Sequence, residues 1–132
     1  MKLGIETYNN HEIVDITYKL EQTITGTGLV NVFVKHTTAA LAIANLDPGT
    51  DTDLAKALDL MSPKFSWSHP NNSHNFSDHL WSTILGNSLI IPYDRGKLAL
   101  GAYQRIILIE LNGPKIRDIV LTFINGSTTS NK

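Results

Sequence analysis

The spacing of apolar and polar positions changes several times along the chain, and each change marks an element. Leu3, Ile5 and Thr7 alternate with Gly4 and Glu6, the two-residue period of a short strand. From Asp15 the spacing lengthens. Ile16, Leu20 and Ile24 recur every four residues, Asp15 stands at a capping position, and Gly26 and Gly28 stop the run. This predicts an amphipathic helix over roughly residues 15–25. Val30, Val32 and Val34 then alternate with Asn31, Phe33 and Lys35, a second strand that ends in the polar group His36-Thr37-Thr38.

After two alanines, Leu41, Ile43 and Asn45 predict another strand. Asp47-Pro48 is a cap and first-turn pair. Leu54, Leu58 and Met61 mark one face of a second helix, which Pro63 closes. Residues 64–76 are rich in Ser, Asn and His with almost no aliphatic content, so they read as a loop. Ser77 is placed to cap a third helix through Leu80, Trp81 and Ile84, stopped by Gly86. The remainder predicts strands: Leu89-Ile90-Ile91-Pro92, Lys97 to Leu100, Ile106 to Ile109, and a last one with Ile119, Leu121 and Phe123 on one face. Turns fall at 93–96 and 112–114. Antiparallel strands with three interspersed helices predict an α+β fold. The apolar runs at 89–91 and 106–109 imply strands covered on both faces. A second subunit could supply one of those covers.

Composition narrows the picture. A chain of 132 residues predicts one domain, over residues 1–126, followed by a frayed polar tail at 127–132. Hydrophobic residues are 42% and charged residues 17%, an ordinary balance for a folded protein. Net charge is -1, without the basic excess of a dedicated nucleic-acid binder. No cysteine is present, which removes thiolate metal sites, disulfides and a Cys nucleophile together. Glu6 interrupts the apolar run that a signal peptide requires, and no stretch nears the roughly 20 apolar residues of a membrane span. The expectation is a soluble, cytoplasmic protein with no nucleic-acid or membrane partner. The three Asn-x-Ser sites at Asn71, Asn75 and Asn125 read as accidental in that setting.

The histidines are the most informative candidates. Three of the five, His69, His74 and His79, fall within eleven residues of a polar segment. His36 ends a strand that should point into the same region. Imidazole is the commonest metal ligand and titrates near neutrality, so such a cluster suggests a metal or an acid–base site. The spacing of five rotates a helix by about 140°, so these side chains converge only if a loop turns. Spacing alone leaves two readings open: a built site, or solvent-facing loop histidines. His11 lies outside the cluster and reads as structural or solvent-facing, and His74 has nothing around it that singles it out. Thr37, Thr38, Ser88, Arg95, Lys97 and Gln104 are competent to bind phosphate. Each equally suits a turn, a strand end or a solvated surface, and Gly86 and Gly101 read as turn or bulge residues. No GxxxxGK[ST], GxGxxG or GxSxG pattern occurs.

Three blocks of residues together resemble the YjbQ-like family, proteins with secondary thiamine-phosphate synthase activity. The first is His36-Thr37-Thr38-Ala39-Ala40-Leu41-Ala42-Ile43 with Asp47-Pro48 after it. The second is His69, a variable loop, then His79-Leu80, Leu85-Gly86, Ser88 and Ile91-Pro92. The third is Gly96 to Gly101, Gln104-Arg105-Ile106, Glu110 and Asn112-Gly113-Pro114. They keep order and spacing over residues 36–126.

The resemblance implies a homotrimer with an antiparallel β-sandwich core and helices outside. It also implies a transferase that couples a pyrimidine diphosphate to a thiazole phosphate and releases pyrophosphate. On that analogy His36, His69 and His79 line a pocket at a subunit boundary, where they hold a divalent metal (Mg or Zn) or donate hydrogen bonds to a diphosphate. Thr37, Thr38, Asn45, Ser88, Gly101 and Gln104 would bind the small phosphorylated substrate. The chain departs from the family pattern in three places. Asn45 stands near the family's acidic position, Asn71, Asn72 and Asn75 occupy the loop that usually carries acidic residues, and Ala102-Tyr103-Gln104-Arg105 replaces Thr-Trp-Gln-Gly. Amides in place of carboxylates weaken Mg²⁺ binding most, so a His-only site would favour zinc-like ions or none. Two further readings follow from these departures: a non-catalytic trimeric module that binds a phosphorylated small molecule or a metal, and a metal-dependent hydrolase.

Overall fold

The computed structural model describes residues 1–63 and 76–127. In chain order its elements are β1 (Lys2–Glu6), β2 (Glu12–Asp15), α1 (Thr17–Glu21), β3 (Gly28–Val34), β4 (Ala39–Ala44), α2 (Thr50–Met61), α3 (Phe76–Leu85), β5 (Ser88–Asp94), β6 (Lys97–Leu98), β7 (Arg105–Glu110) and β8 (Ile116–Asn125). The strands form two antiparallel sheets: five strands in the order β1-β8-β3-β5-β6, and three in the order β2-β7-β4. The fold is α+β, an antiparallel sandwich with α2 and α3 on the outer side of the small sheet.

The two-residue period of the strands dictates the layers. Val30, Val32 and Val34 of β3, Ile91 and Tyr93 of β5, and Ile119 and Leu121 of β8 point inward from the large sheet. They meet Ala39 and Leu41 of β4 and Ile106 and Leu108 of β7, while Ile16, Leu20 and Ile24 around α1 join the same cluster. Full burial of each such Val, Leu or Ile contributes about 1.5–3 kcal/mol. The opposite face of the small sheet builds a second cluster. There Ile107 and Ile109 of β7 lie with Ala40 and Leu111 under Leu54 and Leu58 of α2 and Trp81 and Leu85 of α3.

The run 106–109 is therefore buried on both faces, as its composition implied, and helices of the same chain supply the outer cover. The run 89–91 is different. Ile91 is 2% exposed but Ile90 is 67% exposed. Leu29, Phe33, Ile116 and Ile124 share this uncovered outer face of the large sheet with Ile90.

Two glycines are required where they stand. A Cβ on Gly28 would lie 2.1 Å from the Ile124 carbonyl across the β3–β8 pair. Gly86 takes φ +93 and ends α3, its N–H bonded to the Ser82 carbonyl and its own carbonyl accepting from Leu41 N–H of β4.

Three expectations change. The helix expected over 15–25 is a single short turn, Thr17–Glu21, because Glu12–Asp15 pairs with β7 and the β-branched Thr23-Ile24-Thr25 resists helix. Asp15 still serves the turn, since its Oδ1 accepts from Thr17 N–H at 3.0 Å. Ser77, expected as the cap of α3, lies within the helix, whose inward face mixes polar with apolar residues. Asp78 and Ser82 are buried beside Trp81 and Leu85, whereas Ile84 is 60% exposed. Polar partners make that possible, since Ser82 donates to the Ala39 carbonyl at 2.7 Å. Finally, the strand expected over 97–100 is only Lys97–Leu98. The loop expected over 64–76 lies outside the described residues except for Phe76, the first residue of α3, and the tail from 128 onward is outside them too.

This layering sets a mutational contrast. Leu108→Ala should lower the unfolding free energy by about 2–5 kcal/mol, while Ile84→Ala should stay within about 0.5 kcal/mol of wild type. Urea melts of the two variants check it.

Candidate active site

The connection from β3 to β4, residues 35–38, is held against β8 by two consecutive residues. The Asp118 carbonyl accepts from Lys35 N–H at 3.3 Å, and the Asp118 N–H donates to His36 Nε2 at 3.0 Å. An accepting ring nitrogen carries a lone pair, so neutral His36 bears its proton on Nδ1. Partial burial, then the Arg117 guanidinium and Lys115, hold His36 below the ordinary histidine range, against the opposing pull of Asp118 and Glu110. At neutral pH His36 is an uncharged Nδ1–H donor.

His79 comes from the first half of α3. Its Nδ1 donates to the Thr37 carbonyl at 3.1 Å, which leaves the lone pair of the neutral ring on Nε2. The two imidazoles thus reach the same hollow with opposite nitrogens engaged. That hollow has a volume of about 260 Å³ and is lined by His36, Thr37, His79, Ser82, Thr83 and Asn87. Ser82 and Thr83 commit their hydroxyl protons to the carbonyls of Ala39 and His79, so they form wall rather than donors. Among the described residues no carboxylate lines it. Imidazole, hydroxyl and amide groups around an open cavity with a buried guanidinium nearby suit an anion.

Behind this wall lies the buried ion pair Arg117–Glu110, whose side chains are 1% and 0% exposed. Arg117 Nε bonds both Glu110 oxygens at 2.9 and 3.0 Å, and its Nη2 bonds Glu110 Oε2 as well. Nη2 also donates to the Thr38 carbonyl and Oγ1, each at 2.9 Å. Thr7 Oγ1 donates to Glu110 Oε1 at 2.6 Å, and Asn112 N–H to Oε2 at 3.2 Å. Burial alone would push Glu110 up, but the guanidinium and these donors hold it below the usual carboxylate range.

The other candidates fall elsewhere. Thr38 is buried, its hydroxyl turned onto Arg117 and away from the hollow. Asn45 closes a local turn with Asp47. Ser88 bonds Asn31 Oδ1 on the outer face of the large sheet. Gly101 and Gln104 bond each other through Gly101 N–H to Oε1 at 2.8 Å. Arg105 is engaged by Asp15 Oδ2 at 2.8 Å, and that contact together with Thr17 holds Asp15 low despite its partial burial. His69 and His74 lie outside the described residues.

His11 is not merely solvent-facing. Its Nε2 lies 3.5 Å from Asp78 Oδ1, beside a small hollow of about 10 Å³ under α2 that could hold little more than one water. Burial raises Asp78, with His11 offsetting part of the rise.

Sequence reasoning missed Arg117 and Asn87, and it met Glu110 only as a member of the third block, without a role. A signal for the first was present. Arg117 sits two residues before Ile119 on the face of the last strand that carries Ile119 and Leu121, a cation at a core position.

A model of the UPF0047 protein YjbQ-like family matches residues 1–126. The chain belongs to the YjbQ-like family. A UPF0047 protein of Archaeoglobus fulgidus is 37% identical over 123 residues, 92% of this chain and 98% of the relative. The UPF0047 protein YugU of Bacillus subtilis is 32% identical, covering 87% and 91%. A hypothetical protein from Aeropyrum pernix superposes with a TM-score of 0.86 at 34% identity over 96% and 98% of the two chains. A conserved hypothetical protein from Thermus thermophilus gives 0.85 at 32% identity over 94% and 99%. The sandwich with α2 and α3 over the small sheet is thus the YjbQ-like fold.

The two described members of the histidine set differ in their fitness for a metal. His79, anchored through Nδ1–H to a carbonyl, has the second-shell arrangement of a metal ligand. His36 does not, because the lone pair on Nε2 is taken by the Asp118 amide and Nδ1 carries the proton. Among the described residues, no three His, Asp or Glu side chains gather as a metal-binding set. A divalent ion on His36 would first have to break the Asp118 bond.

The charge state of His36 has a measurable consequence. The folded protein binds this proton less readily than the unfolded chain, whose histidines titrate near about pH 6.5. The His36 contribution to stability is full above that pH and is lost as pH falls through 6.5 towards the lower folded pKa (about 6.5 being the unfolded value). An NMR titration should find His36 below about 6.5. Denaturant melts should show His36→Asn losing less stability than wild type when the pH is taken from neutral to mildly acidic.

Proposed function

We propose that this YjbQ-like chain is a phosphate-handling transferase of the thiamine-phosphate-synthase kind. It joins a pyrimidine diphosphate to a thiazole phosphate and releases pyrophosphate. The observation that carries the reading is the hollow in which His36 and His79 meet, with hydrogen-bond donors and no carboxylate among its described lining residues.

In the reaction the bond between the pyrimidine methylene carbon and the diphosphate oxygen breaks, and both electrons leave with pyrophosphate. The lone pair of the thiazole nitrogen closes the new carbon–nitrogen bond. His36 suits the ground state, since a neutral Nδ1–H donor binds phosphate oxygens without competing for a proton. His79 suits the leaving group. As imidazolium it retains its Nδ1–H bond to Thr37 and offers Nε2–H to the departing pyrophosphate. Thr37 and Asn87 add donors, and the Arg117 cation favours negative charge in the hollow. His69 would complete the set, and no residue role here requires a metal. The hydrolase reading, which needs a metal-held water, gains no support from a His36 whose Nε2 is engaged.

We further propose a homotrimer in which the uncovered face of the large sheet, with Leu29, Phe33, Ile90 and Ile124, packs against neighbouring copies. Residues remote from the hollow within one chain, Ser88 among them, would then be offered to a neighbour's site.

Purified protein given both substrates should form thiamine phosphate, and His79→Ala should reduce turnover by about 10²–10⁴-fold. Substrate binding without turnover under any metal would replace the transferase with the binding module. Undiminished turnover in the His36→Ala/His79→Ala double variant would remove the site assignment. Sedimentation equilibrium should give three times the chain mass for wild type and a smaller species for Ile90→Lys.

A further inference from the structure

Four consecutive residues, Lys35 to Thr38, carry the His36 ring of the pocket and the Thr37 carbonyl that fixes His79. Two neighbouring residues of β8 hold this segment at its two ends, by different means. Asp118 acts through its backbone, as acceptor from Lys35 and donor to His36. Its place is fixed by strand pairing, with Gly4 opposite on β1 and Ile119 opposite Val34 on β3. Arg117 acts through its side chain, binding Thr38 at the carbonyl and the hydroxyl together. The guanidinium is oriented in turn by the Glu110 carboxylate.

We infer that Arg117 is a positioning residue of this pocket, fixing the tautomer and orientation of His79 through Thr38 and the Thr37 carbonyl. The inference rests on the hollow being the functional site proposed above. The chain of contact is short: hydrogen bonds at both ends and one peptide bond between them. Arg117 Nη2 holds Thr38 by two acceptors, Thr38 is joined by one peptide to Thr37, and the Thr37 carbonyl demands a proton on His79 Nδ1. The planar fork matters more than the charge. A lysine ammonium is a point donor without the fork geometry that serves Glu110 and Thr38 at once. His36 is outside this chain of influence, because a backbone amide of a paired strand sets its tautomer.

Long-range proton–nitrogen correlation spectra report which ring nitrogen carries hydrogen, and they can be recorded on the whole, ligand-free protein. Wild type should show both His36 and His79 protonated at Nδ1. In Arg117→Lys the His79 signals should move towards a mixture with Nε2–H, while His36 keeps its pattern and so serves as an internal control that β8 is intact. Thr38→Val removes only the hydroxyl acceptor and should shift His79 in the same direction, and it carries the test if Arg117→Lys fails to fold. An unmoved His79 in the folded variant overturns the inference. So does a common change in both rings, which would mark a general loosening. Pyrophosphate titrated into wild type separates the two levels: absence of any response in either ring, with the His79 shift still present in the variants, would overturn the reading of the pocket and leave the positioning role standing.

Discussion

The Arg117–Glu110 pair ties together elements that the strand pairing alone leaves independent. Glu110 ends the central strand of the small sheet, Arg117 opens the long strand of the large one, and their shared partners Thr7 and Thr38 follow β1 and precede β4. A buried ion pair is a doubtful source of net stability, because desolvating two charges costs about as much as their attraction returns. Its value here lies in geometry. Every hydrogen bond around it is directional, and the set is satisfied only when the two sheets stand in one relation to each other. Apolar residues would fill the same space but would tolerate sliding.

The hollow depends on that fixed relation, because its wall comes from three places: a loop attached to the large sheet, the helix over the small one, and the turn between α3 and β5 that carries Asn87. None of these side chains would meet if the sheets moved by the width of a residue. The electrostatics follow the same architecture. Burial in this wall lowers the basicity of His36 first, and the guanidinium that organises Thr38 adds to it.

How much of this was legible in the sequence differed by element. Strands were readable wherever one face was buried and the other exposed, as in Val30, Val32 and Val34, because alternation is a direct record of that environment. The short strand Glu12–Asp15 and the curtailed α1 were not. Ile16, Leu20 and Ile24 fit a helical period, yet only Leu20 lies in the helix, with Ile16 at its cap and Ile24 in the turn that follows, and periodicity cannot separate those cases. The inward face of α3 was not legible from hydrophobicity, because the buried positions Asp78 and Ser82 are polar groups satisfied by His11 and by Ala39. His36 and His79 were found as residue types at matching positions, but their shared Nδ1–H tautomer is set by one backbone amide and one carbonyl and has no trace in composition. Of the other expected binding residues only Thr37 lines the hollow. Arg117 was visible as a cation out of place in an apolar alternation.

The two apolar clusters are not equally secured. The sandwich interior is closed by strands whose hydrogen bonds run from sheet edge to sheet edge, whereas the second cluster is roofed by α2, a helix without a single fully buried residue. Opening free energies within one molecule vary with such differences. The amides of α2 should therefore exchange with solvent long before those of β3, β7 and β8. Lifting that roof would bare Ile107 and Ile109 without parting the sheets. Of the two helices over the small sheet, α3 is pinned by its buried Asp78 and Ser82, so native-state proteolysis would find α2 before α3 or the paired strands.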